Sequence, residues 1–81
     1  MKVKDLLDSE NKWAKRCYKH RVDSGYKYCL VGAIHECYPE EMWESILVKI
    51  ANEIQCCVTF WNDQDKTTFD DILRLINLLN I

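Results

Sequence analysis

Seven side chains in this sequence are soft nucleophiles or metal ligands: Cys17, Cys29, Cys37, Cys56, Cys57, His20 and His35. Cys29 is the sharpest of them. It stands near the start of an expected helix, where the dipole lowers a thiol pKa. A thiol nucleophile needs a base and a group to orient that base. His20 and His35 are the two imidazoles, and Asn62 or Asp63 is the orienter. His35 follows Cys29 by six positions, about 120° around one helix, so the two cannot pair directly. Only His20 remains as a base, which makes Cys29, His20, Asn62 and Asp63 the constellation of a thiol enzyme. The plainer reading is a set of reduced, buried thiols that pack as small apolar side chains. Five cysteines are an odd number and Cys56 and Cys57 are adjacent, a poor arrangement for a disulfide framework.

The same donors test for zinc. No C-x₂-C or H-x₃-H pair is present, and Cys17-x-x-His20 is the nearest approach. Asp63, Asp65 and Thr67 alternate like a calcium loop. The position that must be Gly is Thr68, and the bidentate Glu position is Arg74, so that template fails. No metal, no cofactor and no catalysis are expected.

The elements that would position these residues are mainly helices. Gly and Pro number two and one, too few for the many turns of a β-sandwich. Val3, Leu6 and Leu7 predict a short helix over 2–8. Residues 12–27 are the least regular part, with Trp13 as an anchor. A short strand or hairpin is expected there, because Asp23-Ser24-Gly25 is turn chemistry. Cys29, Leu30, Ala33, Ile34 and Cys37 recur at helical spacing and predict a helix over 27–38. Gly32 inside it costs about 1 kcal/mol relative to Ala, and marks a place where another backbone comes close. Pro39 closes that helix. Met42, Trp43, Ile46, Leu47, Ile50, Ala51 and Ile54 form a wide apolar stripe over 40–54, and Glu40, Glu41 and Glu44 suit its first turn. Residues 55–61 are rich in β-formers and predict a buried strand or extended loop. Asn62-Asp63-Gln64-Asp65 reads as a polar turn. Thr67 or Thr68 then caps a last helix to about residue 80, with Asp70 and Asp71 in capping-box places. Phe69, Ile72, Leu73, Ile76 and Leu79 face its core side. Leu75 and Leu78 fall outside that stripe, and with Ile81 they are candidates for contact with a second copy. The fold class expected is mainly α, a small bundle of about four helices with a minor strand or hairpin, in one domain over 1–81.

The chain has 81 residues, 48% of them hydrophobic, enough for one packed core and too apolar for a disordered chain. No apolar run approaches the roughly 20 residues of a membrane span, and no signal peptide follows Met1, so a cytoplasmic protein is expected. The net charge of -2 is unevenly spread. Residues 12–27 carry Lys12, Lys15, Arg16, Lys19, Arg21 and Lys27 against Asp23 alone. Residues 36–74 carry nine acids against Lys49, Lys66 and Arg74. The basic residues are interleaved with Trp13, Tyr18, Tyr26 and Tyr28, a pattern that can serve single-stranded nucleic acid. The acidic whole and the lack of a recognisable module favour a solvated basic face instead, so nucleic acid is not the expected partner.

Tyr28-Cys29-Leu30-Val31-Gly32-Ala33-Ile34, then Phe60-Trp61-Asn62-Asp63, then Thr67 and a leucine-rich closing helix, together with Trp13, resemble a family of small uncharacterised bacterial and phage domains. Its signatures are an aromatic-Cys-Leu-x-Gly-Ala helix and a Trp-Asn-Asp turn. The resemblance implies a domain type and no activity. The expectation for function is a non-enzymatic protein-binding domain, a phage or mobile-element accessory that occludes a host complex, with an anti-CRISPR inhibitor as a concrete form. Glu40, Glu41, Glu44, Asp63 and Asp65 are the residues expected to meet a basic protein partner.

Overall fold

The computed structural model describes residues 1–23 and 25–81. Ser24, part of the expected Asp23-Ser24-Gly25 turn, lies outside the described residues. Two strands, β1 (Lys19–Val22) and β2 (Gly25–Tyr28), pair antiparallel with Lys19 opposite Tyr28 and Val22 opposite Gly25. Five α-helices accompany them: α1 (Val3–Leu6), α2 (Leu30–Cys37), α3 (Glu40–Ile54), α4 (Val58–Asp63) and α5 (Phe69–Leu79). A single 3₁₀ turn covers Glu10–Lys12. The architecture is mostly helical with a minor hairpin, and among the described residues the helices number five where about four were expected.

Helix α2 is the centre. Leu30, Val31, Gly32, Ala33 and Ile34 are all buried, and α1, α3, α4 and β2 each pack against it. It starts at Leu30, not at 27, because Tyr28 is claimed by the hairpin and by a bridge to Trp13. Cys29 is the N-cap, its sulfur accepting the Gly32 N–H at 3.3 Å. Gly32 meets its expected neighbour. A Cβ there would lie 1.8 Å from the Tyr18 carbonyl oxygen, so the loop before β1 crosses α2 on bare backbone. Only Gly permits that approach, which offsets its cost inside a helix.

Helix α3 spans the expected residues and ends in Gln55 in the left-handed conformation. Residues 58–63 overturn the expected strand. Val58 and Asn62, four apart, face inward where α4 packs between α2 and α3. A helix satisfies its own backbone groups, and no strand lies alongside to pair with this segment among the described residues. The polar turn is correspondingly shorter, since Asn62 and Asp63 belong to α4. The first helix covers Val3–Leu6, less than the expected 2–8. Helix α5 begins with a capping box: Thr68 Oγ1 accepts the Asp71 N–H at 3.2 Å, and Asp71 Oδ2 accepts the Thr68 N–H at 2.9 Å. Leu75 and Ile81 are corrections to the expected second-copy surface, because both are in the core. Helix α5 packs against both α1 and α3, which buries a wider arc than one stripe. Leu78 alone of the three is exposed.

Candidate functional site

The cysteine chemistry is organised by Asn62, which is fully buried at the end of α4. Its Oδ1 accepts the Trp13 indole N–H at 2.8 Å and the Leu30 backbone N–H at 3.0 Å. Its Nδ2 donates to the Ala14 carbonyl at 3.1 Å and to Asp63 Oδ1 at 2.9 Å. Two bonds accepted and two donated use the full capacity of a side-chain amide. Asp63 Oδ1 also accepts the Arg16 backbone N–H at 2.8 Å, which holds Arg16 at a φ of 67°. The Arg16 guanidinium reaches Asp65 at 3.2 Å. Thr67 closes the turn by donating its hydroxyl to the Trp61 carbonyl at 2.7 Å. The Trp13 loop, the start of α2 and the end of α4 are thus tied at one point.

Beside this knot lies a cavity of about 330 Å³ lined by Arg16, Cys17, Tyr18, Cys29, Thr59 and Asp63. Cys29 is buried, and desolvation pushes its thiol pKa up, against the N–H groups of Gly32 and Val31 that pull it down. The helix-terminus effect expected from sequence is therefore outweighed by burial. Asn62 has no bond left with which to orient an imidazole. His20 is exposed on β1 opposite Lys27 and is not among the residues lining the cavity. Cys29 and Asp63 share a wall, while His20 stands apart and Asn62 is occupied.

All five cysteines are free. The expectation of buried thiols holds for Cys29; Cys17 and Cys57 are exposed. Cys57 precedes α4, where the Thr59 hydroxyl and the backbone N–H groups of Phe60 and Thr59 lower its pKa. Among the described residues no group of three or more His, Cys, Asp and Glu side chains is placed to hold a metal ion.

A second and larger feature runs along α3. A groove of about 700 Å³ is lined by Trp43, Leu47, Val48 and Ala51 of α3 together with Tyr18 and Val31. Cys57, Val58 and Thr59 also line it, and Glu40 and Glu44 bring carboxylates from the start of α3. From Glu40 to Ala51 this stripe is about 16 Å long, three turns of helix. Val48 is 52% exposed, and Trp43, Leu47 and Ala51 are only half-buried. Trp43 is held in place by its indole N–H donating to the Tyr38 carbonyl at 2.7 Å. His35 stacks on it at 3.9 Å, and Tyr18 leans on His35 at 5.9 Å.

The acidic residues expected to act together divide between two settings. Glu40 and Glu44 line the groove and Glu41 is exposed beside them on α3. Asp63 and Asp65 are engaged with the Arg16 loop. The sequence places Trp43, Leu47 and Ala51 in the core, names Cys57 only as a thiol and Tyr18 only as an aromatic of the basic stretch, and gives Val48 no role. The available signal was the width of the α3 stripe, since Val48 beside Leu47 and Ala51 makes it broader than one buried face requires. Met42, also expected in the stripe, is 41% exposed.

Comparison with protein-family models, with curated proteins and with solved structures gives no match for this chain.

Proposed function

We propose that this chain is a non-enzymatic protein-binding domain that takes an amphipathic, basic-ended helix of a partner into the α3 groove. The observation that carries the reading is the open apolar stripe of Trp43, Leu47, Val48 and Ala51 with Glu40 and Glu44 at one end. A groove three turns long matches the reach of a helix that docks anchors at i, i+4 and i+7. The carboxylates select cations at the end of that helix and raise its on-rate. Occlusion of a host complex by a phage or mobile-element accessory, an anti-CRISPR inhibitor for instance, is the narrower form of this proposal. Its support is the acidic start of α3, Glu40, Glu41 and Glu44.

The test is titration of the ¹⁵N-labelled protein with a synthetic amphipathic helix bearing leucines on one face and lysines at one end. Amide shifts confined to the residues around Trp43, Val48 and Ala51 are expected. The double reversal Glu40→Lys with Glu44→Lys weakens this binding about tenfold, the loss of about 1.4 kcal/mol of charge complementarity. Shifts elsewhere, or affinity indifferent to the reversal, overturn the reading.

A further inference from the structure

We infer that the β1–β2 ribbon is a binding surface for single-stranded nucleic acid, separate from the α3 groove. Neither strand contains an acidic residue, while Lys19, His20, Arg21 and Lys27 occupy four of their eight positions. The register sets their faces. Side chains alternate along a strand, so Lys19 and Arg21 share a face with Tyr26 and Tyr28, and His20 and Lys27 share the other. Lys19 to Arg21 and Tyr26 are exposed, and among the described residues β1 pairs with no strand but β2. The cations are therefore concentrated on a thin ribbon and not spread over a rounded face.

The chain supplies little to neutralise them. Glu36 reaches Lys19 only at 3.9 Å, with both side chains solvated. Among the described residues no ion pair reaches Arg21 or Lys27. A polyanion laid along the ribbon releases the counterions that these charges otherwise hold. Tyr26 decides the kind of polyanion. Tyr26 is 45% exposed and stands directly across from Arg21, and the Lys19 ammonium lies 4.4 Å from its ring centroid. An aromatic face among cations suits an unpaired base stacked beside its phosphates, a contact that a paired duplex does not offer. The acidic remainder of the domain opposes long-range attraction, so affinity falls in the micromolar range typical of sequence-independent contacts, about 10⁻⁶ to 10⁻⁴ M.

The experiment is fluorescence anisotropy of a labelled oligothymidine with the full chain over a salt series, with an unlabelled duplex as competitor. The expected log K falls against log salt with a slope of about −2, for two to three phosphates contacted. Lys19→Glu with Arg21→Glu, both on the Tyr26 face, reduces affinity at least about tenfold by removing two of those contacts. Tyr26→Ala reduces it about fivefold or more through lost stacking. Both variants alter exposed side chains, and circular dichroism checks that they fold. No binding up to millimolar protein, binding insensitive to salt or to the charge reversal, or preferential displacement by the duplex overturns the inference.

Discussion

At the scale of single residues, Asn62 carries the most weight. Replacing it with Ala leaves the Trp13 indole N–H and the Leu30 N–H without partners in a buried site, and removes the donor to the part-buried Ala14 carbonyl. Each orphaned group costs about 1–3 kcal/mol. A chain of this length has a total stability of about 4–12 kcal/mol. Asn62→Ala is therefore expected to lose at least about 2 kcal/mol, read as a lower urea midpoint by circular dichroism. A loss under about 0.5 kcal/mol shows that the knot contributes no more than a surface contact. The thiols make a second residue-scale prediction. At neutral pH iodoacetamide modifies Cys57 first, because its thiol is exposed and its pKa is lowered. Cys29 reacts only on unfolding, because burial keeps it protonated and covered. Peptide mass mapping over time reads the order, and early labelling of Cys29 would revive the thiol-enzyme reading. The sequence made Cys29, Asn62 and Asp63 visible as a group. It did not reveal that Asn62 is saturated, since that depends on Trp13 and Leu30 arriving from distant positions.

At the scale of elements, the start of α5 is a pH-sensitive feature. Asp71 has a lowered pKa, chiefly because its carboxylate accepts the Thr68 backbone N–H. A carboxylate with a depressed folded pKa contributes stability that is present above its unfolded value, about 3.9, and lost as pH falls through the folded value. The stability gap between the wild type and Asp71→Asn should therefore be full at pH 6 and close below about pH 3.9. Thermal unfolding at a series of pH values measures it, and a gap that persists in acid removes the capping role. Thr68→Ala costs about 0.5–2 kcal/mol at neutral pH. This cap was legible, because the Thr68 and Asp71 spacing is a local code. The α3 span was legible for the same reason, with Pro39 at its start and an unbroken period. Residues 58–63 were not, because Val58, Phe60 and Trp61 favour strands in isolation. The environment between α2 and α3 overrides that preference.

At the scale of the molecule, the chain closes on itself. The Ile81 carbonyl accepts the Val3 N–H at 2.6 Å and the Tyr38 hydroxyl at 2.8 Å, and Lys2 and Lys4 both reach Asn80 Oδ1. The radius of gyration is 11.5 Å, close to the roughly 11.7 Å of a compact domain of this length. No described helix is long and apolar enough to cross a membrane. The charge division read from sequence becomes a division of surfaces: the cations of residues 19–27 stand on the ribbon, and Glu40 and Glu44 line the groove.

The sequence by itself determined the helical class, the span of α3, a threonine cap at the start of α5, and the need for a close backbone at Gly32. These are local properties, set by periodicity, by capping chemistry and by the missing Cβ. Only the tertiary structure decided that Leu75 and Ile81 are core while Leu78 and Val48 are surface, that residues 58–63 coil, and that burial outweighs the helix dipole at Cys29. Each of these depends on which neighbour covers a face, and contacts between residues thirty to eighty positions apart are not written in any short stretch of chain.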